Sequence, residues 1–118
     1  MEKSVLLWID MRTSENQGEV PSLFKKHFIV RVAGPEIVTA TIPTEWAPKA
    51  ICFDYDFPDK YGLDLLRSVR MKYPRVPVLL LTEQHSEALA IWALRMRVWD
   101  FLVKPLDNTQ TENEISQL

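Results

Sequence analysis

The sequence predicts a doubly wound α/β domain: a five-stranded parallel sheet with helices on both faces. Three observations predict it. First, five short apolar runs are mostly continuous rather than alternating, rich in β-branched or aromatic residues, and bounded by polar or turn residues. Strands buried on both faces of a parallel sheet read this way. Second, stretches with helical spacing of apolar residues lie between the runs, and such alternation defines the class. Third, 118 residues with 47% hydrophobic content supply one core and no second domain. Right-handed crossovers then remove most alternative topologies.

The elements follow in order. Val5-Leu-Leu-Trp-Ile is the first strand, ended by Asp10. Pro21-Ser-Leu-Phe-Lys-Lys predicts a short helix with proline at its start. Phe28-Ile-Val-Arg-Val is the second strand. The stretch from Pro35 to Pro48 is β-branched and contains Pro43, so its helix is short and begins near Thr44. Ala50-Ile-Cys-Phe is the third strand. Gly62 to Tyr73 carries Leu63, Leu66, Val69 and Tyr73 at helical spacing and ends before Pro74. Val76-Pro-Val-Leu-Leu-Leu is the fourth strand. Ser86 caps a helix over Glu87 to Met96, with acidic Glu87 in its first turn and Arg95 and Arg97 near its end. Phe101-Leu-Val is the fifth strand. The polar tail from Asn108 to Leu118 offers only Ile115 and Leu118 for burial, as a last helix cut short or a frayed end.

Composition excludes several classes. A net charge of −2 without a Lys/Arg block argues against a nucleic-acid footprint within these residues. The longest fully apolar run, Ala88 to Leu94, is too short to span a bilayer. Asp10 and Arg12 interrupt the N-terminal apolar run, so no signal peptide is expected. Cys52 is alone, which fits a reducing cytoplasm and core packing rather than a redox centre. The three glycines are scattered, which excludes phosphate loops that need them clustered. His27 and His85 lack metal-ligand spacing with Cys52.

In open α/β sheets, functional groups collect at the carboxyl ends of the strands. The first, third, fourth and fifth runs end at Asp10, Asp54, Thr82 and Lys104-Pro105. Taken singly, each reads as a turn residue, a helix cap or a solvated loop. Together they place two carboxylates, a hydroxyl and an ammonium on one sheet edge. Two close carboxylates call for a hard divalent cation, and oxygen donors suit Mg²⁺. A lysine holds an incoming anion and a hydroxyl donates to a phosphoryl oxygen. The combination fits phosphoryl transfer to an aspartate.

At these residues the sequence resembles the receiver domains of two-component response regulators. Asp54-Tyr-Asp-Phe-Pro58-Asp-Lys-Tyr-Gly62 is similar to that family's phosphoacceptor loop. Leu79-Leu-Leu-Thr82 is similar to its hydroxyl-ending fourth strand, and Trp99-Asp-Phe-Leu-Val-Lys104-Pro105 to its fifth strand and lysine. The resemblance implies a flavodoxin-like single domain over residues 1–118, with its last helix short or truncated. It implies that Asp54 accepts a phosphoryl group from a sensor histidine kinase or phosphotransfer protein. Mg²⁺ would be held by Asp10, Asp54 and the backbone carbonyl of Asp56, and Lys104 would pair with phosphoryl oxygens. Thr82 and Phe101 would form the switch, and a cis peptide would join Lys104 to Pro105. The domain would be a cytoplasmic switch and not an enzyme, away from membranes and without its own contact to nucleic acid. A DNA-binding effector in the full-length protein and control of transcription are expected.

Some residues depart from that pattern. The family's usual pair of acids after the first strand reads Ile9-Asp10, which weakens Mg²⁺ binding; Asp56 is expected to compensate in part. Glu83 follows Thr82 where the family favours a small residue, and Arg97 replaces a common glycine. Ile9 and Glu83 support an alternative, a degenerate receiver that docks partners without phosphorylation. A further alternative is a DxD aspartate phosphatase, because Asp54-Tyr-Asp56 also matches that motif. On the helix before the fifth strand, Ala90, Ala93 and Leu94 are expected to face the sheet. Leu89, Trp92 and Met96 are then partly exposed, and the face near Trp92 and Phe101 is a candidate homodimer surface. A tail helix covering that stripe is the alternative.

Overall fold

The structure is a computed structural model, and it describes residues 3–10, 20–34, 46–54, 60–82, 90–91, 94–95, 97–98, 100–103 and 106–118. Its elements run β1 (Ser4–Asp10), α1 (Ser22–His27), β2 (Phe28–Ala33), β3 (Ala50–Asp54), α2 (Lys60–Lys72), β4 (Val78–Thr82), β5 (Asp100–Val103) and α3 (Asn108–Ser116). The five strands form one parallel sheet in the order β2-β1-β3-β4-β5. The sheet's first strand is an inner one; the chain winds to the near edge, crosses back and winds to the other. That reversal is what doubly wound means, and it confirms the predicted class.

Side chains alternate between two cores, as the two-residue period of a strand requires. Leu7, Ile9, Ile51, Phe53, Val78 and Leu80 face α2, which contributes Leu65, Leu66 and Val69. Leu6, Trp8, Cys52, Leu79 and Leu81 face the other way, against Phe24 of α1 and Ile115 of α3. Trp8 meets Phe24 edge to face, with ring centroids 5.2 Å apart at 70°, a favoured aromatic geometry. Every residue of β3 and β4 is buried, which explains why those runs are unbroken in the sequence.

β2 differs. Among the described residues it pairs only with β1, and it leaves Ile29 at 41% and Val32 at 54% exposure. The expectation of burial on both faces therefore holds for the central strands and fails at this edge, where β2 has one strand neighbour among the described residues. β4 begins at Val78, two residues later than the apolar run. Proline cannot donate to a ladder, so Pro77 instead offers its carbonyl to Ile51 N–H at 2.9 Å.

Helix ends follow local chemistry. Pro21 immediately precedes α1, with φ −55° and ψ 136°, and its carbonyl accepts from Phe24 N–H at 3.1 Å. Lys25, Lys26 and His27 occupy the last turn, where positive charge complements the helix dipole. α2 begins at Lys60, ahead of the expected start at Gly62, and Leu65 joins its buried stripe. Asp107 caps α3 through Oδ1, which accepts from Thr109 N–H at 2.7 Å and Gln110 N–H at 3.1 Å. The tail is thus helical, with Thr111 and Ile115 buried. His27 Nε2 approaches Glu112 Oε1 to 2.8 Å across α1 and α3, without the alignment of a hydrogen bond.

Ahead of β5, the described residues correct the predicted helix face. Leu94 is 78% exposed and Ile91 45%, while Ala90 is half-buried. Leu94 therefore does not face the sheet. Leu89, Trp92, Ala93 and Met96 lie outside the described residues, as does the predicted start of a helix near Thr44. Arg97 closes the segment with φ 55°, its N–H donating to Leu94 O at 3.1 Å. This is a left-handed helix end built on a residue with a Cβ, a conformation that costs about 1 kcal/mol.

Candidate functional site

The sheet brings three of the predicted residues to its carboxyl edge. Asp10 is the last residue of β1 and Asp54 the last of β3, and the two are direct register partners. Neighbouring strands lie about 4.8 Å apart, so the two backbones hold these carboxylates side by side. One strand further, Leu81 pairs with Asp54, and Thr82 ends β4 opposite Val103 of β5.

All three described groups are buried: Asp10 is 5% exposed, Asp54 2% and Thr82 0%. Each engages a partner, as buried polar groups must. The apolar strand residues behind them explain the placement. Trp8 and Cys52 anchor the α1/α3 core two residues before Asp10 and Asp54, so both aspartates fall on that side. Thr82 follows Leu80 by two residues and takes the opposite parity. The site therefore straddles the end of the sheet.

The electrostatics reach into the core. Burial, and secondarily the Asp54 carboxylate, push the Cys52 thiol well above its ordinary range. Cys52 is thus a protonated packing residue, as the sequence suggests, and not a nucleophile.

Two buried carboxylates in register are an oxygen-only donor pair that fits a hard divalent cation such as Mg²⁺. Among the described residues no third acidic, histidine or cysteine side chain completes a metal group. Asp56, whose backbone carbonyl is the expected third ligand, lies outside the described residues, as do Glu83, Lys104 and Pro105. Phe101 pairs through its backbone with Leu80; its side chain is also outside them. Ile9, at the position of the family's missing acid, is fully buried against α2. A carboxylate there would enter an apolar core, so the departure belongs to the packing of this chain.

Sequence reasoning missed a second polar constellation at the opposite edge. Arg70, Arg75 and Arg97 line a pocket of ≈ 220 Å³ with Pro74, Val76 and Pro77. The only signal in the sequence was Arg97 at a helix end where glycine is cheaper. The others are separated along the chain and meet only through the topology.

Among the described residues, no helix is long and apolar enough to cross a membrane. Comparison with known proteins points one way. The FleR response regulator of Pseudomonas aeruginosa is 32% identical over 107 residues, covering 91% of this chain and 22% of that protein. The DNA-binding transcriptional regulator NtrC of Proteus hauseri is 33% identical over 64 residues, 54% of this chain and 14% of that protein. The chain thus spans less than a quarter of these relatives. The structure of the chemotaxis protein CheY4 of Vibrio cholerae superposes with a TM-score of 0.75 at 20% identity, covering 98% of both chains, which establishes the shared fold. The family model for the response regulator receiver domain matches residues 21–116. With its doubly wound sheet, this chain belongs to the response regulator receiver domain family.

Proposed function

We propose that this domain is a phosphorelay switch that accepts a phosphoryl group on Asp54. The register pairing of buried Asp10 and Asp54 at the carboxyl edge carries the reading. A carboxylate oxygen of Asp54 attacks phosphorus of a phosphohistidine on a sensor kinase or phosphotransfer protein. The P–O bond forms as the P–N bond breaks, and the imidazole leaves with its electron pair and takes a proton from solvent. Asp10, Asp54 and the Asp56 carbonyl would hold Mg²⁺, which supplies neutralisation of charge on the transferring group. Lys104 pairs with the phosphoryl oxygens. Thr82 exchanges its buried partner for the phosphoryl group, and Phe101 turns inward behind it.

The output is a shift between two packings of one fold, with no external substrate turned over. A cytoplasmic location and a DNA-binding effector elsewhere in the full-length protein fit this role, as the resemblance to NtrC supports. Ile9 in place of a second acid, with Glu83 after Thr82, favours one competing reading, an interaction module that is never phosphorylated.

Incubation with Mg²⁺ and acetyl phosphate separates the two. The switch gains one acid-stable, base-labile acyl phosphate, seen by intact mass and absent from Asp54→Asn. A folded wild-type protein that gains none is the interaction module.

A further inference from the structure

We propose that the arginine-lined pocket at the amino-terminal edge of the sheet is a binding site for a phosphate group. It is separate from the aspartate site. The pocket adjoins the start of β4, and Thr82 ends that strand four residues after Val78, on the order of 13 Å away at the rise of a strand.

Four observations support it. Arg70, Arg75 and Arg97 all line one pocket of ≈ 220 Å³, large enough for a phosphate with a compact organic body and too small for a helix. Among the described residues no carboxylate lines it or forms an ion pair with these arginines, although the whole chain is net acidic. Arg70 is already fixed: its Nη1 donates to Val76 O at 3.0 Å, leaving other N–H groups of the guanidinium for a ligand. Arg97 is held at φ 55°, where glycine is favoured. A side chain carried at a backbone angle that disfavours it is a reason to look for a role of that side chain.

The ligand class follows from the donors. A carboxylate is satisfied by one guanidinium fork, whereas a phosphate dianion presents enough oxygens for several. Pro74 and Pro77 stiffen the backbone between Arg70 and β4, so the lining changes little on binding. The phosphate could be free or carried by an organic molecule.

The test follows backbone amide shifts of the Mg²⁺-free protein titrated with inorganic phosphate, ribose 5-phosphate, and potassium chloride at matched ionic strength. The proposal predicts saturable shifts at Arg75, Val76 and Arg97 with the phosphates and none with chloride. Arg75→Gln and Arg97→Gly each weaken binding at least tenfold, and Arg97→Gly melts no lower than wild type because the backbone constraint is relieved. Ribose 5-phosphate binding tenfold tighter than phosphate identifies an organic phosphate; equal affinity identifies the free ion. Shifts shared with chloride, shifts confined to residues around Asp54, or affinity unchanged in both variants would overturn the proposal.

Discussion

The two ends of the sheet carry opposite chemistry. At the carboxyl edge, Asp10 and Asp54 are register partners buried to within 5% of full. At the amino edge, Arg70, Arg75 and Arg97 line an open pocket and two of them, Arg75 and Arg97, are exposed. A net charge of −2 conceals this polarity. Burial sets the difference in what each end can do. The acids are held by paired backbones in a place water reaches poorly, which suits chemistry that needs fixed geometry. The arginines stand on a turn and a helix end, which suits capture of an anion.

Four perturbations would break or sharpen that contrast, in descending size. Phe24→Ala removes the ring that packs on Trp8 and should destabilise the fold by about 3–5 kcal/mol in chemical denaturation. Because the α1/α3 core supports every central strand, both ends should be lost in one transition; loss of one end alone would mean they fold independently. Asp10→Asn acts on one end only. It should weaken Mg²⁺ binding at least tenfold, about 1.4 kcal/mol, read by titration of Trp8 fluorescence, while leaving phosphate affinity at the amino edge unchanged.

Cys52 gives a pH test of the buried interior behind the acids. Its folded pKa is raised above the unfolded value near 9.0, so the stabilisation is complete below that pH and lost as pH rises toward the folded value. The unfolded chain there binds fewer protons, and stability should fall by about 1.4 kcal/mol per pH unit. Cys52→Ala should flatten that slope in alkaline denaturation. Tyr73, also raised by burial, contributes equally to both proteins. Asp107→Ala is the smallest effect. Losing a cap that accepts from Thr109 and Gln110 should cost about 1 kcal/mol, and hydrogen exchange should rise first in the opening turn of α3.

What the sequence discloses follows the same division. β3 and β4 are legible because a strand buried on both faces leaves an unbroken apolar run, and each run announces the residue at its carboxyl end. The positions of Asp10, Asp54 and Thr82 at strand ends are legible that way. The exposure of Ile29 and Val32 was not legible, since whether a strand lies at an edge depends on its neighbours and not on its own residues. Leu94 was misplaced because Ala90, Ala93 and Leu94 share a helical stripe, yet the chain turns at Arg97 and leaves Leu94 outward. The arginine pocket was invisible for a related reason. Arg70 and Arg75 come from the end of α2 and its turn, Arg97 from the segment before β5, and only the crossover brings them together.

The most direct measurement locates the phosphoryl group. After acetyl phosphate and Mg²⁺, borohydride reduction converts an acyl phosphate to an alcohol whose position peptide mass spectrometry reads. Reduction at Asp54 alone is the predicted result; reduction at Asp10 or Asp56, or at no aspartate in a folded protein, would contradict the account.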